Sequence, residues 1–179
     1  MLKLIISDFE EYDNEKMEFI NTKGQIITIE HSLVSISKWE SKWRKPFLSK
    51  EPKTIEQTLD YIRCMTITQN VSDKIYSIIT NENIKTVSTY IEDPMTATWF
   101  TKIKGSASNE IITSEIIYYW MITYKIPFEC QKWHLNRLLT LIRVCDKKNN
   151  PDKKMSRSEI MSRNRELNNA RRQQTNSKG

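Results

Sequence analysis

The sequence predicts a mainly α-helical domain with a small N-terminal β-hairpin or sheet and a basic C-terminal helical tail. Three observations predict it. Short β-branched runs are confined to the first thirty residues. From Ser32 onward apolar residues recur at the three-to-four spacing of amphipathic helices. The entire excess of positive charge lies in residues 146–179, which hold ten basic and four acidic side chains. Residues 1–145 are left with 18 of each, so the net +6 belongs to the last fifth of the chain. The expected organisation is a body over 1–145 and a basic linker with a helical tail over 146–179.

Residues 2–6 and 25–30 read as strands, and Lys16–Ile20 alternates polar and apolar side chains. With Asn21-Thr22-Lys23-Gly24 as a turn, residues 16–30 are expected to form a hairpin. Such a sheet is too small to stand alone and must rest on the helices. Leu33, Ile36, Trp39 and Trp43 mark a first helix. Thr54 and Gln57 have capping-box spacing at the head of a second, whose buried stripe is expected to be Ile55, Leu59 and Ile62. Ser72 is the expected cap of a short third helix carrying Ile75, Ile78 and Ile79. Asn81 or Asn83 is the expected cap of a fourth, carrying Ile84, Val87 and Ile91 and ending before Asp93-Pro94. Residues 94–108 read as a connector with Trp99-Phe100 as a candidate anchor. Residues 110–124 are apolar around most of the circumference, as in a central helix. A long helix over 129–145, with Leu135, Leu138, Leu139 and Ile142 inward, is expected to pair with it antiparallel.

Asp146–Asp152 reads as a solvated linker ended by proline. Beyond it, Ser156 and Glu159 have the spacing of a reciprocal capping box, with Met155 and Ile160 as its hydrophobic staple. The helix they announce has a thin apolar stripe, Ile160, Leu167 and Ala170, with Met161 at its margin. Polar and basic residues fill the rest. A helix with so little apolar surface is marginal alone and invites a partner.

The residues argue against catalysis and against a resident metal or cofactor. With glycine only at 24, 105 and 179, no glycine-rich phosphate loop is present, and no nucleophile elbow or zinc-protease motif occurs. Cys64, Cys130 and Cys145 form no C-x-x-C pair and read as buried free thiols in a reducing compartment. His134 and Cys130 read as neighbours on one helical face, without the third group a nucleophile needs. Glu10-Glu11 and Glu92-Asp93 read as solvated acidic spots in loops. No apolar run reaches the roughly 20 residues of a membrane span, and no secretory leader is apparent, so a soluble protein is expected. The tail has the charge for nucleic acid but no Phe, Trp or Tyr for base stacking, so binding there would be electrostatic and sequence-blind. The five tryptophans, 39, 43, 99, 120 and 133, read by default as core. Trp133, flanked by Gln131, Lys132, His134 and Asn136, is the best candidate among them for an interface.

The stretches Glu30–Glu40 (EHSLVSISKWE), Pro127–Leu139 (PFECQKWHLNRLL) and Met155–Asn164 (MSRSEIMSRN) resemble small proteins of the structural gene modules of tailed bacteriophages. The role that this resemblance implies is that of a tail assembly chaperone. Such proteins are non-catalytic, coat the tape measure protein and help recruit tail tube subunits. The implied location is the host bacterial cytoplasm, and homo-oligomerisation is compatible with it. A nucleic-acid-binding accessory factor and a minor virion component are the alternatives. The quoted segments carry no catalytic or ligand signature. The residues expected to bind a partner are therefore those the sequence itself singles out: Trp133, Ile160, Arg163, Arg165, Leu167, Arg171 and Arg172.

Overall fold

The computed structural model describes residues 1–13, 17–98, 100 and 111–149, and in the C-terminal segment residues 161, 162, 164, 165 and 168. The chain divides into two compact units, Met1–Cys145 and Asp146–Gly179. The first is mainly helical and carries a two-stranded β-ribbon at its N-terminus.

In the ribbon, β1 (Leu2–Ile6) pairs antiparallel with β4 (Gln25–Ile29), and β2 (Phe9–Asp13) pairs with β3 (Glu18–Thr22). The two halves share one register: Leu2 faces Ile29, Ile6 faces Gln25, and Phe9 faces Thr22 in step. The expected hairpin over 16–30 does not form. Asn21–Gly24 contains a break in the ribbon rather than a reversal, and the chain reverses between Asp13 and Glu18, next to Met17 at φ 52°. Gly24 explains the break. Its N–H donates to the Asp8 carboxylate at 2.6 Å, and a Cβ at this position would lie 2.0 Å from the Ile6 carbonyl oxygen. Only glycine lets the two backbones approach this closely. Glu10 and Glu11, expected in a loop, belong to β2.

Strand alternation puts Leu4, Ile6, Ile27 and Ile29 on the ribbon's buried face. That face rests on helices, with α4 (Asn81–Glu92) against β1. Helix α1 (Leu33–Trp43) starts with a reciprocal box between Ser32 and Ser35 and buries Leu33, Ile36 and Trp39. Helix α2 (Ile55–Met65) starts with the expected Thr54–Gln57 box. Its buried face differs from the expected stripe: Gln57, Tyr61 and Met65, with Ile62, turn inward, while Ile55 is 61% exposed and Leu59 half-buried. The i, i+4, i+8 row from Gln57 is the inward one, and Ile55, in the first turn, falls outside it.

Helix α3 (Asp73–Ser77) follows Ser72, whose side chain makes no cap bond, and buries Ile75 and Tyr76; Ile78 and Ile79 follow it, half-buried. Thr80, rather than Asn81 or Asn83, caps α4, and Asn83 answers it from the third position. Val87 and Tyr90 are buried there. Trp99 and residues 101–110 lie outside the described residues.

Helix α5 (Ser114–Thr123) is not the all-round buried helix expected. Ile117 and Met121 are buried, but Tyr119 and Ile122 are more than half exposed. Its main packing partner is α1 rather than the following helix. The expected helix over 129–145 is two elements, a 3-10 segment Phe128–Lys132 and α6 (Leu135–Asn149). The split has a local cause. The Leu135 N–H donates to the His31 carbonyl at 2.7 Å, and His134 bridges Ser32, so an extended step replaces the helical turn. Leu135, Leu138 and Ile142 are buried as expected and Leu139 is half-buried. Helix α6 runs through Asn149, so residues 146–149 are helical and not linker.

Candidate partner-binding surfaces

Sequence reasoning singled out His134 and Trp133, and both sit beside the most polar part of the core. This lies at the junction of β4 and α1. The Glu30 N–H donates to the Met65 carbonyl at 2.9 Å. The Glu30 carboxylate accepts from the Tyr90 hydroxyl at 2.6 Å and pairs with the Met1 amino group at 2.9 Å. His31 Nδ1 lies 2.6 Å from the Tyr61 hydroxyl, which in turn lies 3.2 Å from Ser35 Oγ. His134 Nε2 lies 3.0 Å from the Tyr90 carbonyl and Nδ1 accepts from the Asn136 N–H at 3.3 Å, so the proton sits on Nε2. The two imidazoles meet edge to face at 5.1 Å between centroids.

Burial, with the neighbouring His134, pushes the His31 pKa down to about 3, and burial also lowers that of His134. Burial raises the Tyr61 and Tyr90 phenols, and the Glu30 carboxylate adds to the effect on Tyr90. Neutral imidazoles and protonated phenols suit a network that holds three elements together. Among the described residues, no buried side-chain polar atom lacks a partner. Cys130 and His134 do not share a helical face, because the 3-10 segment and α6 separate them. Cys130 is buried, whereas Cys64 and Cys145, expected to be buried, are half-buried; all three are free. Among the described residues, no group of His, Cys, Asp and Glu is placed to hold a metal ion, and no helix is long and apolar enough to cross a membrane.

Of the expected partner-binding residues, Trp133 is half-buried and its ring carries the Arg137 guanidinium at 4.3 Å. The contact pre-positions an arginine at the rim of the 3-10 segment. Arg165 is exposed and helical, as are Met161, Ser162, Asn164 and Asn168. Ile160, Arg163, Leu167, Arg171 and Arg172 lie outside the described residues, or have side chains that do, as do Met155, Ser156 and Glu159.

Three surfaces escaped the sequence reading. A cavity of about 260 Å³ between α1, α2 and α3 is lined by Trp43, Leu59, Arg63 and Tyr76, among others. Four of its five charged side chains are paired: Asp60 takes bonds from Lys42 Nζ and Trp43 Nε1, and Arg63 pairs with Asp73 at 3.1 Å. The outer face of α5 exposes Tyr119 and Ile122, near the exposed Phe128 in sequence. The outer half of the ribbon exposes Phe19 (72%), Met17 (80%), and Phe9 and Tyr12 (46% each). Phe9 and Tyr12 stand three residues apart in Phe9–Asp13, so this strand shows no polar–apolar alternation that could have marked it. No family model, no curated protein and no solved structure matches the chain.

Proposed function

We propose that this is a non-catalytic assembly factor, a tail assembly chaperone of a tailed bacteriophage, that binds the tape measure protein and tail tube subunits. The observation that carries the reading is the concentration of charge. All of the net +6 falls in residues 146–179, the second of the chain's two compact units. A basic segment with a helix-start signal and a thin apolar stripe suits a binding element that gains order on contact. Exposed apolar side chains on α5 and the ribbon add contact area. The body's histidines support the same reading, because both are engaged in tying elements together rather than facing a cleft. The phage role itself rests on the resemblance of residues 30–40, 127–139 and 155–164.

Co-expression with the tape measure protein tests the proposal. The intact chain should co-purify with it and raise its soluble yield, and Ile160→Asp with Leu167→Asp should reduce co-purification at least tenfold while the body stays folded. If the intact chain neither co-purifies nor changes solubility, the chaperone reading fails. Salt-sensitive gel shifts with DNA would then favour the accessory-factor alternative.

A further inference from the structure

The two halves of the β-ribbon differ in how their edges are closed. Beside the inner half, the segment after α2 bonds to β4. The Ile67 N–H donates to the Thr28 carbonyl at 2.8 Å, and the Thr28 N–H donates to Thr68 Oγ1 at 2.8 Å. The Asn83 amide of α4 donates to the Ile5 carbonyl of β1 at 3.1 Å. In the outer half, the backbones of β2 and β3 bond, among the described residues, only to each other. Every residue of β3 is exposed or half-buried, so both of its faces meet solvent. A strand with an open edge presents a row of N–H and C=O groups to any strand that can reach it.

The two open edges are not alike. Strand β2 holds three carboxylates in five residues, Glu10, Glu11 and Asp13, and such charge keeps an edge from pairing. Strand β3 reads Glu-Phe-Ile-Asn-Thr, with its one charge at the end. Turned end for end against itself about Ile20, β3 brings no like charges opposite one another. Glu18 meets Thr22, Phe19 meets Asn21, and Ile20 meets Ile20. The same operation on β2 sets Glu11 against Glu11. The exposed Phe19 ring, packed edge to face on Tyr12 at 5.0 Å, then lies diagonal to its counterpart, within reach for aromatic side chains. A two-stranded ribbon is marginal in water and gains stability from further strands.

We propose that β3 is a pairing edge for a second copy of this chain. The β3 strands of two copies join antiparallel across a two-fold axis at Ile20, and the two outer half-ribbons become one four-stranded sheet. The carboxylate-rich β2 strands are then its outer edges, which stops growth at the dimer. Five-residue strands make a short interface, so the dimer is weak and needs high protein concentration. This self-association does not depend on the identity of the assembly partner.

Sedimentation of the full-length chain over a rising concentration series tests it. The wild type should approach a mass about twice 21.3 kDa. Ile20→Lys sets two ammonium groups against each other across the axis and should stay monomeric where the wild type dimerises. Within each copy the new lysine stands opposite Glu11, an attractive pair, so the ribbon itself is kept. Hydrogen exchange on the wild type gives a readout free of substitution. From monomer to dimer, alternate amides of Glu18–Thr22 should slow at least tenfold, while the β2 amides that point away from β3 stay fast. A wild type that is monomeric at every concentration, or an Ile20→Lys variant that dimerises like it, would overturn the proposal. Protection of the outward β2 amides, or particles that keep growing past the dimer, would overturn it as well, since both require β2 to pair.

Discussion

His31 shows how a single side chain ties function-neutral chemistry to stability. It is almost wholly buried, bonded to Tyr61 and packed on His134, and its pKa is pushed down to about 3 from the ordinary 6.5. In the unfolded chain it binds a proton near pH 6.5; in the folded chain it does not. Its contribution is therefore complete above pH 6.5 and is lost as pH falls toward 3. By pH 4 the loss from this group should be on the order of 3 kcal/mol. Urea midpoints of wild type and His31→Gln, measured from pH 7 to pH 4, should converge as pH falls. A gap that stays constant with pH would show that His31 titrates normally. At this scale the sequence was partly legible. His134 stood out in the sequence only beside Cys130, and the Glu30–Tyr90 and His31–Tyr61 contacts join residues 60 and 30 positions apart, which local pattern does not reveal.

At the scale of elements, local signals survived where local bonds decide the outcome. The Thr54–Gln57 box is present as read, because both bonds lie within one turn. The Ser32–Ser35 box at the head of α1 is equally local, although Ser32 was not expected as a cap. Long-range contacts decided the rest. The helix expected over 129–145 yields at Trp133–His134 to the backbone of His31, and α5 turns apolar side chains outward because α1 covers only one of its faces. The ribbon is the sharpest case, since Gly24 reads as a turn residue yet serves close approach to Ile6. Gly24→Ala should disrupt the junction of the two ribbon halves, costing about 1–3 kcal/mol by denaturant unfolding. Amide exchange should quicken in β2 and β3 before β1 and β4. An alanine variant as stable as the wild type would mean that Ile6 and Gly24 do not sit this close.

In the whole molecule, a helical body, where among the described residues no buried side-chain polar atom lacks a partner, precedes a C-terminal segment rich in arginine. The concentration of charge is legible in the sequence, since counting side chains needs no fold. The helix boundary is not: α6 runs four residues past Cys145, because nothing in Asp146-Lys147-Lys148-Asn149 stops a helix before Pro151. The central claim is that the basic segment, and not a catalytic cleft, is where this protein meets its partner. Hydrogen exchange reads it directly on the full-length chain, diluted until it is monomeric, with and without the tape measure protein. Amides across residues 155–172 should slow at least tenfold on binding, while those around His31 and Leu138 stay unchanged. Binding that leaves residues 155–172 unprotected and slows exchange only in the body would contradict the claim.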